Sequence, residues 1–195
     1  SYPTTYTFSQ ISMAMFTSFP PKKVIPMFVN GKSLLKWRPI VHMEESKQQF
    51  EGTSFGLSEA GYDIRIKQDI EFFNGPRGHY VVVSDPITGE CKTTAGNFCL
   101  ASSIEEFDTP VTMVGTVKDK STWARKGLSV FNTVIEPGWK GWLTLELVYH
   151  GNDNMVIHAG QGIAQVLYGL LSMEANYADG KYQNAGDFPQ TALTH

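Results

Sequence analysis

One acidic residue stands in the middle of an apolar segment, where a carboxylate could do acid–base chemistry. Residues 142–149 read Trp-Leu-Thr-Leu-Glu-Leu-Val-Tyr, and this alternation predicts a strand. Glu146 shares one face of that strand with Trp142, Thr144 and Val148, opposite a row of leucines. A mid-strand carboxylate is costly unless it reaches solvent, a cavity or a partner. Glu146 is therefore either an exposed side chain on a solvated face or a general base in a pocket.

Cations and hydroxyl groups gather upstream of this strand, at Lys120, Ser121, Thr122 and Arg125. Such side chains suit the binding of phosphate or another anion. Either cation could also supply the charge that adjusts the pKa of a catalytic Glu146. Residues 120–126 are the one internal stretch for which we predict a helical turn.

The histidines and cysteines do not have the spacing of metal ligands. The five histidines stand apart from one another, and Cys91 and Cys99 do not form a zinc-binding pattern. We therefore predict no metal site made of protein ligands. We expect two free thiols in a reducing, cytoplasmic compartment, with a disulfide across a hairpin as the alternative.

Length, composition and charge are those of an ordinary globular protein. The 195 residues fit one domain, or one domain with an extension, and 42% of them are hydrophobic and 18% charged. The formal net charge of -3 argues against a general nucleic-acid binder. We see neither an apolar run of membrane-spanning length nor a signal peptide, so we expect no membrane partner.

Short alternating segments separated by turn residues predict an all-β fold from about residue 56 onward, a sandwich or a barrel. The predicted strands are Tyr62–Ile66, Gly78–Val83, Phe98–Ser102, Thr112–Val117, Leu128–Val130, Trp142–Tyr149, Asn154–Ile157 and Ile163–Leu171.

The chain ends differ from this central part. We interpret residues 1–55 as an extension packed on the barrel or on a neighbouring subunit. It contains an apolar run at residues 11–19, a possible short strand at 24–29, a turn signal at Asn30-Gly31 and an amphipathic segment at 33–38. Residues 56–175 would form the β domain, and residues 176–195 a flexible segment that closes over a ligand.

Five motifs resemble those of the dCTP deaminases. Residues 115–128 resemble the signature G-x-x-x-x-K/R-S-S/T-x-A/G-R-x-G-L, and residues 135–147 resemble I-D-P-G-F/W-x-G-x-I/L-x-L-E-F/L. Residues 160–166 are similar to the family's P-G-x-x-I-G-Q-L turn and strand, and residues 180–184 to its C-terminal G-K-Y-Q-G. Residues 59–65 resemble the P-A-S-x-D-L/V-R strand, and also the A-G-Y-D-L motif of the related dUTP pyrophosphatases.

The resemblance implies a fold and a reaction. The fold would be the distorted jelly-roll barrel of the dUTP pyrophosphatase type, assembled as a homotrimer with active sites between subunits. The reaction would be zinc-independent hydrolytic deamination of dCTP, because the P-C-x-x-C motif of the zinc deaminases is missing. Glu146 would be the general base, Ser121 would hydrogen-bond the water or Glu146, and Arg125 would hold Glu146 in place and ionised.

The resemblance also implies how the nucleotide is bound. Lys120, Thr122 and Lys181 match phosphate-side positions, and Mg²⁺ would arrive on the triphosphate with few or no protein ligands. The other expected contacts come from the loop before the Pro-Gly turn, from the turn itself, from the 160–166 strand and from the C-terminal segment: Thr133, Val134, Glu136, Trp139, Gln165, Tyr177 and Tyr182.

Departures from the family pattern leave alternatives open. The link between Leu128 and Pro137 is shorter than is usual in the family, which suggests room beside the ring for a C5-modified cytosine. Glu136 replaces an aspartate, and Ala185 replaces a glutamine that many members use to bind phosphate. A dUTP pyrophosphatase, alone or as a second activity of the same site, is the main alternative function. A non-catalytic nucleotide-binding protein is the other.

Overall fold

Three antiparallel β-sheets make up the protein in a computed structural model that describes residues 28–76 and 78–194. The strands are β1 (Phe28–Val29), β2 (Lys47–Phe50), β3 (Thr53–Leu57), β4 (Tyr62–Arg65), β5 (Asp69–Gly75), β6 (Gly78–Ser84), β7 (Cys91–Ala95), β8 (Phe98–Asp108), β9 (Met113–Asp119), β10 (Leu128–Val130), β11 (Val134–Ile135), β12 (Lys140–Tyr149), β13 (Met155–Ile157) and β14 (Gly162–Leu170). The helices are α1 (Gly31–Trp37) and α2 (Ser121–Ala124).

The largest sheet has seven strands, in the order β11-β9-β14-β4-β3-β2, with β1 also paired to β14. The second sheet is β10-β12-β8, and the third is β13-β5-β6-β7. All three sheets contribute to one buried core, represented by Ile64, Val81 and Leu145. This arrangement confirms the predicted all-β fold, a distorted jelly roll.

All eight strands predicted from the sequence are present, although several bounds move by a few residues. The prediction missed β7, whose sequence Cys-Lys-Thr-Thr-Ala has no apolar row and is mostly exposed. It also missed β5, where acidic residues alternate with the buried Ile70 and Phe72. Strands of this kind depend on pairing with β6 rather than on a pattern of their own.

The turn signal at Asn30-Gly31 marks the start of a helix. Asn30 is the extended residue before α1, and Gly31 is its first residue with a φ of 50°. The amphipathic segment at 33–38 lies in and just after this helix and buries Leu34. The apolar run at 11–19 and most of the possible strand at 24–29 lie outside the described residues. The boundary at residue 55 stays a prediction, although it falls inside β3, which pairs with β2 in the largest sheet.

Strand β12 has the two faces that its alternation predicts. Leu143, Leu145 and Leu147 are buried in the core, whereas Thr144 and Glu146 on the other face are half-buried. The register against β8 shifts between Trp142 and Thr144, and the hydroxyl of Ser103 accepts a hydrogen bond from the Leu143 amide at 3.0 Å. This hydrogen bond satisfies the backbone at the irregularity. The extra residues lie on β8, because Trp142 pairs with Glu106 and Thr144 with Ser102, so the leucine face of β12 stays in phase.

A buried ion pair joins β4 to β8. Glu105 is almost fully buried, and its two carboxylate oxygens accept hydrogen bonds from the backbone amide of Arg65 at 2.8 Å and from its Nε at 2.9 Å. Burial raises the pKa of Glu105 even though the Arg65 guanidinium beside it acts in the opposite direction. The ionised form of Glu105 therefore depends on the nearby charge of Arg65.

Arg65→Ala is expected to lower the free energy of unfolding by about 3 kcal/mol or more, because it leaves a buried carboxylate without its cation. Glu105→Gln is the matched control and is expected to cost clearly less, since the partly exposed Arg65 can be solvated instead. Urea unfolding at a fixed protein concentration measures both variants. Equal losses would show that the unpaired charge of Glu105 is not what destabilises Arg65→Ala.

Candidate active site

A cavity of about 430 Å³ lies beside β12 and contains Glu146 in its wall. Its volume is in the range of sites that hold a small ligand. The lining residues come from β8, from the segment 133–139, from β12 and from the C-terminal part of the chain. They are Phe98, Leu100, Thr133, Val134, Ile135, Glu136, Trp139, Trp142, Leu143, Thr144, Glu146, Tyr177, Tyr182, Ala185, Gln190, Thr191 and Ala192.

The carboxylate of Glu146 is poorly solvated in this cavity. Its Oε2 atom is buried and has no hydrogen-bond partner in the described part of the chain. Burial raises the pKa of Glu146, and a backbone hydrogen bond opposes this rise only in part. Of the two possibilities left open by the sequence, the structure therefore shows the carboxylate in a pocket rather than on a solvated face.

Six of the predicted substrate-binding residues share this cavity with Glu146, namely Thr133, Val134, Glu136, Trp139, Tyr177 and Tyr182. Strand β11 positions Val134, which pairs with Thr116 of β9. The indole Nε1 of Trp139 donates to the carbonyl oxygen of Tyr182 at 2.7 Å. The Pro-Gly turn and the C-terminal segment are thereby joined at one side of the cavity. Contact of these residues with a nucleotide stays a prediction.

The C-terminal segment, residues 176–194, forms one wall of the cavity. It runs alongside β12, where Ala185 forms a parallel bridge with Gly141 and the Trp142 amide donates to the Ala185 carbonyl oxygen at 3.1 Å. Gly141 has a φ of 130° and lacks a side chain, so the two backbones can approach closely. An ion pair between Lys67 and Asp187, at 2.8 Å, attaches the segment to the loop after β4. The predicted flexibility of this segment stays a prediction.

Lys120 and Gln165, two further predicted binding residues, meet outside this cavity at a buried aspartate. The Nζ atom of Lys120 donates to Asp63 Oδ2 at 2.5 Å, and the Nε2 atom of Gln165 donates to Asp63 Oδ1 at 3.0 Å. The site residues predicted from the sequence do not include Asp63. The available signal is an aspartate in a strand where its neighbours Tyr62 and Ile64 are apolar.

Three of the remaining predicted residues, Ser121, Thr122 and Arg125, lie on α2 or directly after it and do not line the Glu146 cavity. Trp123 is buried, and its indole donates to the Gly162 carbonyl oxygen at 2.7 Å, which fixes the short helix to β14. Ser121 and Arg125 are exposed, and neither lines the cavity. Within the described residues, Arg125 and Glu146 of the same chain do not form an ion pair. Their expected roles at Glu146 stay predictions, as do those of Thr122 and of Lys181, whose Nζ lies 5.5 Å from the centre of the Tyr182 ring.

Two further observations concern metals and membranes. Within residues 28–76 and 78–194, no group of three histidine, cysteine or acidic side chains lies close enough to hold a metal ion. Neither helix in that part of the chain has the length and apolar character needed to cross a membrane.

Comparisons with known proteins agree with the fold and with the motifs around this site. Residues 40–171 match the family model described as dCTP deaminase-like. The dCTP deaminase of Campylobacter lari is 36% identical over 153 residues, which is 72% of this chain and 80% of that protein. The dCTP deaminase of Chlamydia muridarum is 36% identical over 145 residues, covering 67% of this chain and 75% of that protein.

Among solved structures, the 2'-deoxycytidine 5'-triphosphate deaminase from Agrobacterium tumefaciens has a TM-score of 0.51 at 14% identity. The match covers 74% of this chain and 48% of that one, and it supports the fold alone. The family model spans more than half of the chain, and the relatives exceed 30% identity. The chain therefore belongs to the dCTP deaminase-like family.

Proposed function

We propose that this protein catalyses the hydrolytic deamination of dCTP to dUTP, with Glu146 as the general base. The observation that carries the proposal is the buried, unpartnered carboxylate oxygen of Glu146 in a cavity of about 430 Å³. Membership of the family supports it, since the similar proteins of Campylobacter lari and Chlamydia muridarum are named dCTP deaminases. Release of ammonia and dUTP from dCTP is the direct test.

The chemistry requires one water molecule and one proton shuttle. Ionised Glu146 takes a proton from water as the oxygen forms a bond to C4 of the cytosine ring, and Glu146 then passes this proton to the ring nitrogen N3. The resulting C4 carries both a hydroxyl and an amino group. Glu146 takes the proton of this hydroxyl group and delivers it to the amino group, and the bond between C4 and nitrogen breaks to give uracil and ammonia. Glu146 returns to its ionised state.

The cavity walls support this chemistry by holding the ring and restricting water. Trp139 and Trp142 contribute flat apolar surface, and Tyr182 lies at the same side as Trp139. Glu136, at the edge of the cavity, is the proposed contact for the sugar. Lys181 and Tyr177 lie on the proposed phosphate side, and Mg²⁺ enters as part of the substrate, bound by the triphosphate oxygens.

A complete site needs a second subunit. Ser121 and Arg125 lie on α2 or next to it and do not line the Glu146 cavity of their own chain. We place them, with Lys120 and Thr122, at the Glu146 cavity of a neighbouring subunit in a homotrimer. Exposed apolar side chains near the cavity suit such an interface, since Phe98, Phe131 and Val134 are 41%, 53% and 51% exposed. Arg125 of one chain would then offset part of the effect of burial and help to keep Glu146 of another ionised at neutral pH, with the pKa of Glu146 still above 4.5.

The dependence of kcat/KM on pH tests the role of Glu146 as a base. Because burial raises the pKa of Glu146 above 4.5, the active ionised form is lost as the pH falls through that higher value. We expect kcat/KM for dCTP to fall on the acid side with a midpoint above 4.5. A profile that stays flat down to that pH would contradict a buried carboxylate base.

A cytosine with a substituent at C5 is the second part of the proposed substrate class. The segment that leads to Thr133 and Val134 is shorter than is usual in the family, and Phe98 and Leu100 supply apolar wall beside it. We expect 5-methyl-dCTP to be deaminated with a kcat/KM within about tenfold of that for dCTP, because one methyl group alters binding only modestly when space is available. Rapid turnover of dCTP without detectable turnover of 5-methyl-dCTP would contradict this.

A further inference from the structure

A second buried polar atom without a partner lies in the wall of the Glu146 cavity. The side chain of Gln190 lines the cavity, and its Oε1 atom is buried and has no hydrogen-bond partner among the described residues. A buried acceptor left unpaired is unfavourable, and native structures rarely keep one without a reason. Its place in a ligand-sized cavity indicates that a bound molecule supplies the missing donor.

The backbone fixes Gln190 close to Glu146. The backbone N–H of Gln190 donates to the Thr144 hydroxyl at 3.0 Å. Thr144 precedes Glu146 by two residues on the same face of β12. Residues two apart on a strand are separated by roughly 6.6 Å. The two unpartnered oxygen atoms therefore belong to side chains at neighbouring positions along one wall of the cavity.

An unpaired carbonyl oxygen needs an N–H or O–H donor from the ligand. The cytosine and sugar of dCTP offer two, the amino group on C4 and the 3'-hydroxyl group. Glu136 is the proposed sugar contact, whereas Gln190 is attached to the strand that carries the proposed base. Glu146 acts at C4, so the amino group is the donor that would lie nearest to both side chains.

We propose that Gln190 accepts a hydrogen bond from the C4 amino group and thereby distinguishes the cytosine substrate from the uracil product. This inference rests on the proposed function. In dUTP the same ring position carries a carbonyl oxygen, which cannot donate to Gln190 Oε1. The contact therefore favours binding of the substrate and release of the product.

Gln190→Met tests the proposal, because methionine keeps the unbranched shape but lacks the amide. Three quantities are measured: kcat/KM for dCTP, kcat/KM for the analogue without the 3'-hydroxyl, 2',3'-dideoxy-CTP, and the inhibition constant of dUTP. We expect both kcat/KM values to fall by about 10- to 100-fold, while the inhibition constant of dUTP changes by less than about threefold. Gln190→Glu keeps an acceptor, and it is expected to retain a larger share of dCTP turnover than Gln190→Met and to weaken dUTP binding.

Gln183→Met is the matched control in the same segment. The Gln183 amide is already satisfied, since its Nε2 donates to the Gly138 carbonyl oxygen at 2.8 Å and its Oε1 accepts from the Lys140 amide at 2.8 Å. Its loss should weaken all three nucleotides by a common factor, because it loosens the segment without removing a base contact.

Three results with Gln190→Met would overturn the proposal. Equal weakening of dCTP and dUTP would assign Gln190 to anchoring of the segment, and a loss seen with dCTP but not with the 3'-deoxy analogue would assign it to the sugar. No change would remove it from recognition. If the unaltered protein released no ammonia, the proposed function would fail, and the same comparisons made as dissociation constants by calorimetry would still decide the role of Gln190.

Discussion

Replacing Glu146 with glutamine is expected to lower kcat for deamination of dCTP by about 10³-fold or more. The amide has nearly the same shape as the carboxylate but cannot take a proton from water. The dissociation constant for dCTP should stay within a few-fold of that of the unaltered protein, because the walls formed by Trp139 and Tyr182 are unchanged. Steady-state kinetics and calorimetry measure the two quantities. Turnover close to that of the unaltered protein would remove Glu146 from the mechanism.

The same substitution has a predicted effect on stability that serves as its control for folding. The pKa of Glu146 is raised in the folded chain, so the neutral form is favoured and stability is lost as the pH rises through that pKa. Glutamine stays neutral at every pH and avoids this loss. We expect the melting temperature of Glu146→Gln at neutral pH to stay close to that of the unaltered protein, because removal of a buried charge offsets loss of the proposed pairing with Arg125 of a neighbouring subunit. An unchanged melting temperature would mean that a lower activity is not due to unfolding.

Mixing two inactive variants is expected to restore activity if the sites lie between subunits. Glu146→Gln and Arg125→Ala each damage one side of the proposed site. After unfolding and refolding of an equal mixture, a site is intact when its Glu146 side comes from the second variant and its Arg125 side from the first. Random assembly gives this in about a quarter of the sites, so about a quarter of the unaltered activity should return.

An equal mixture of Ser121→Ala and Arg125→Ala is the control for this experiment. Both residues lie on or next to α2, so every site in the mixed protein keeps one damaged residue on the same side. No activity above that of the separate variants should return. Restoration in the control, or its failure with Glu146→Gln and Arg125→Ala, would contradict the placement of the two groups on different subunits.

The features that the sequence predicts well are local ones. The alternation along β12 predicts which face carries Glu146, and the structure has that face at a cavity. The cluster at 120–126 predicts a helical turn, and α2 is present there because Trp123 anchors it to β14. In both cases the information lies within about ten residues of the side chain concerned, which is the range over which periodicity operates.

The features that the sequence does not predict depend on contacts between distant segments. Gln190 lines the cavity only because the C-terminal segment runs beside β12, through a bridge at Gly141 that no local pattern indicates. Asp63 joins Lys120 to Gln165 across three strands or strand ends that are far apart in the chain. Asn30-Gly31 predicts a turn but not the helix that begins there, and burial of Leu34 favours that helix.

The most direct test of the central claim is to identify the products formed from dCTP. The protein is incubated with dCTP and Mg²⁺, with and without a chelator that binds zinc but spares magnesium, and the products are separated by chromatography while ammonia is assayed. A carboxylate base acting on C4 predicts one ammonia for each dUTP formed, and the same rate with the chelator. Pyrophosphate with a nucleoside monophosphate, no product at all, or loss of activity with the chelator would contradict it.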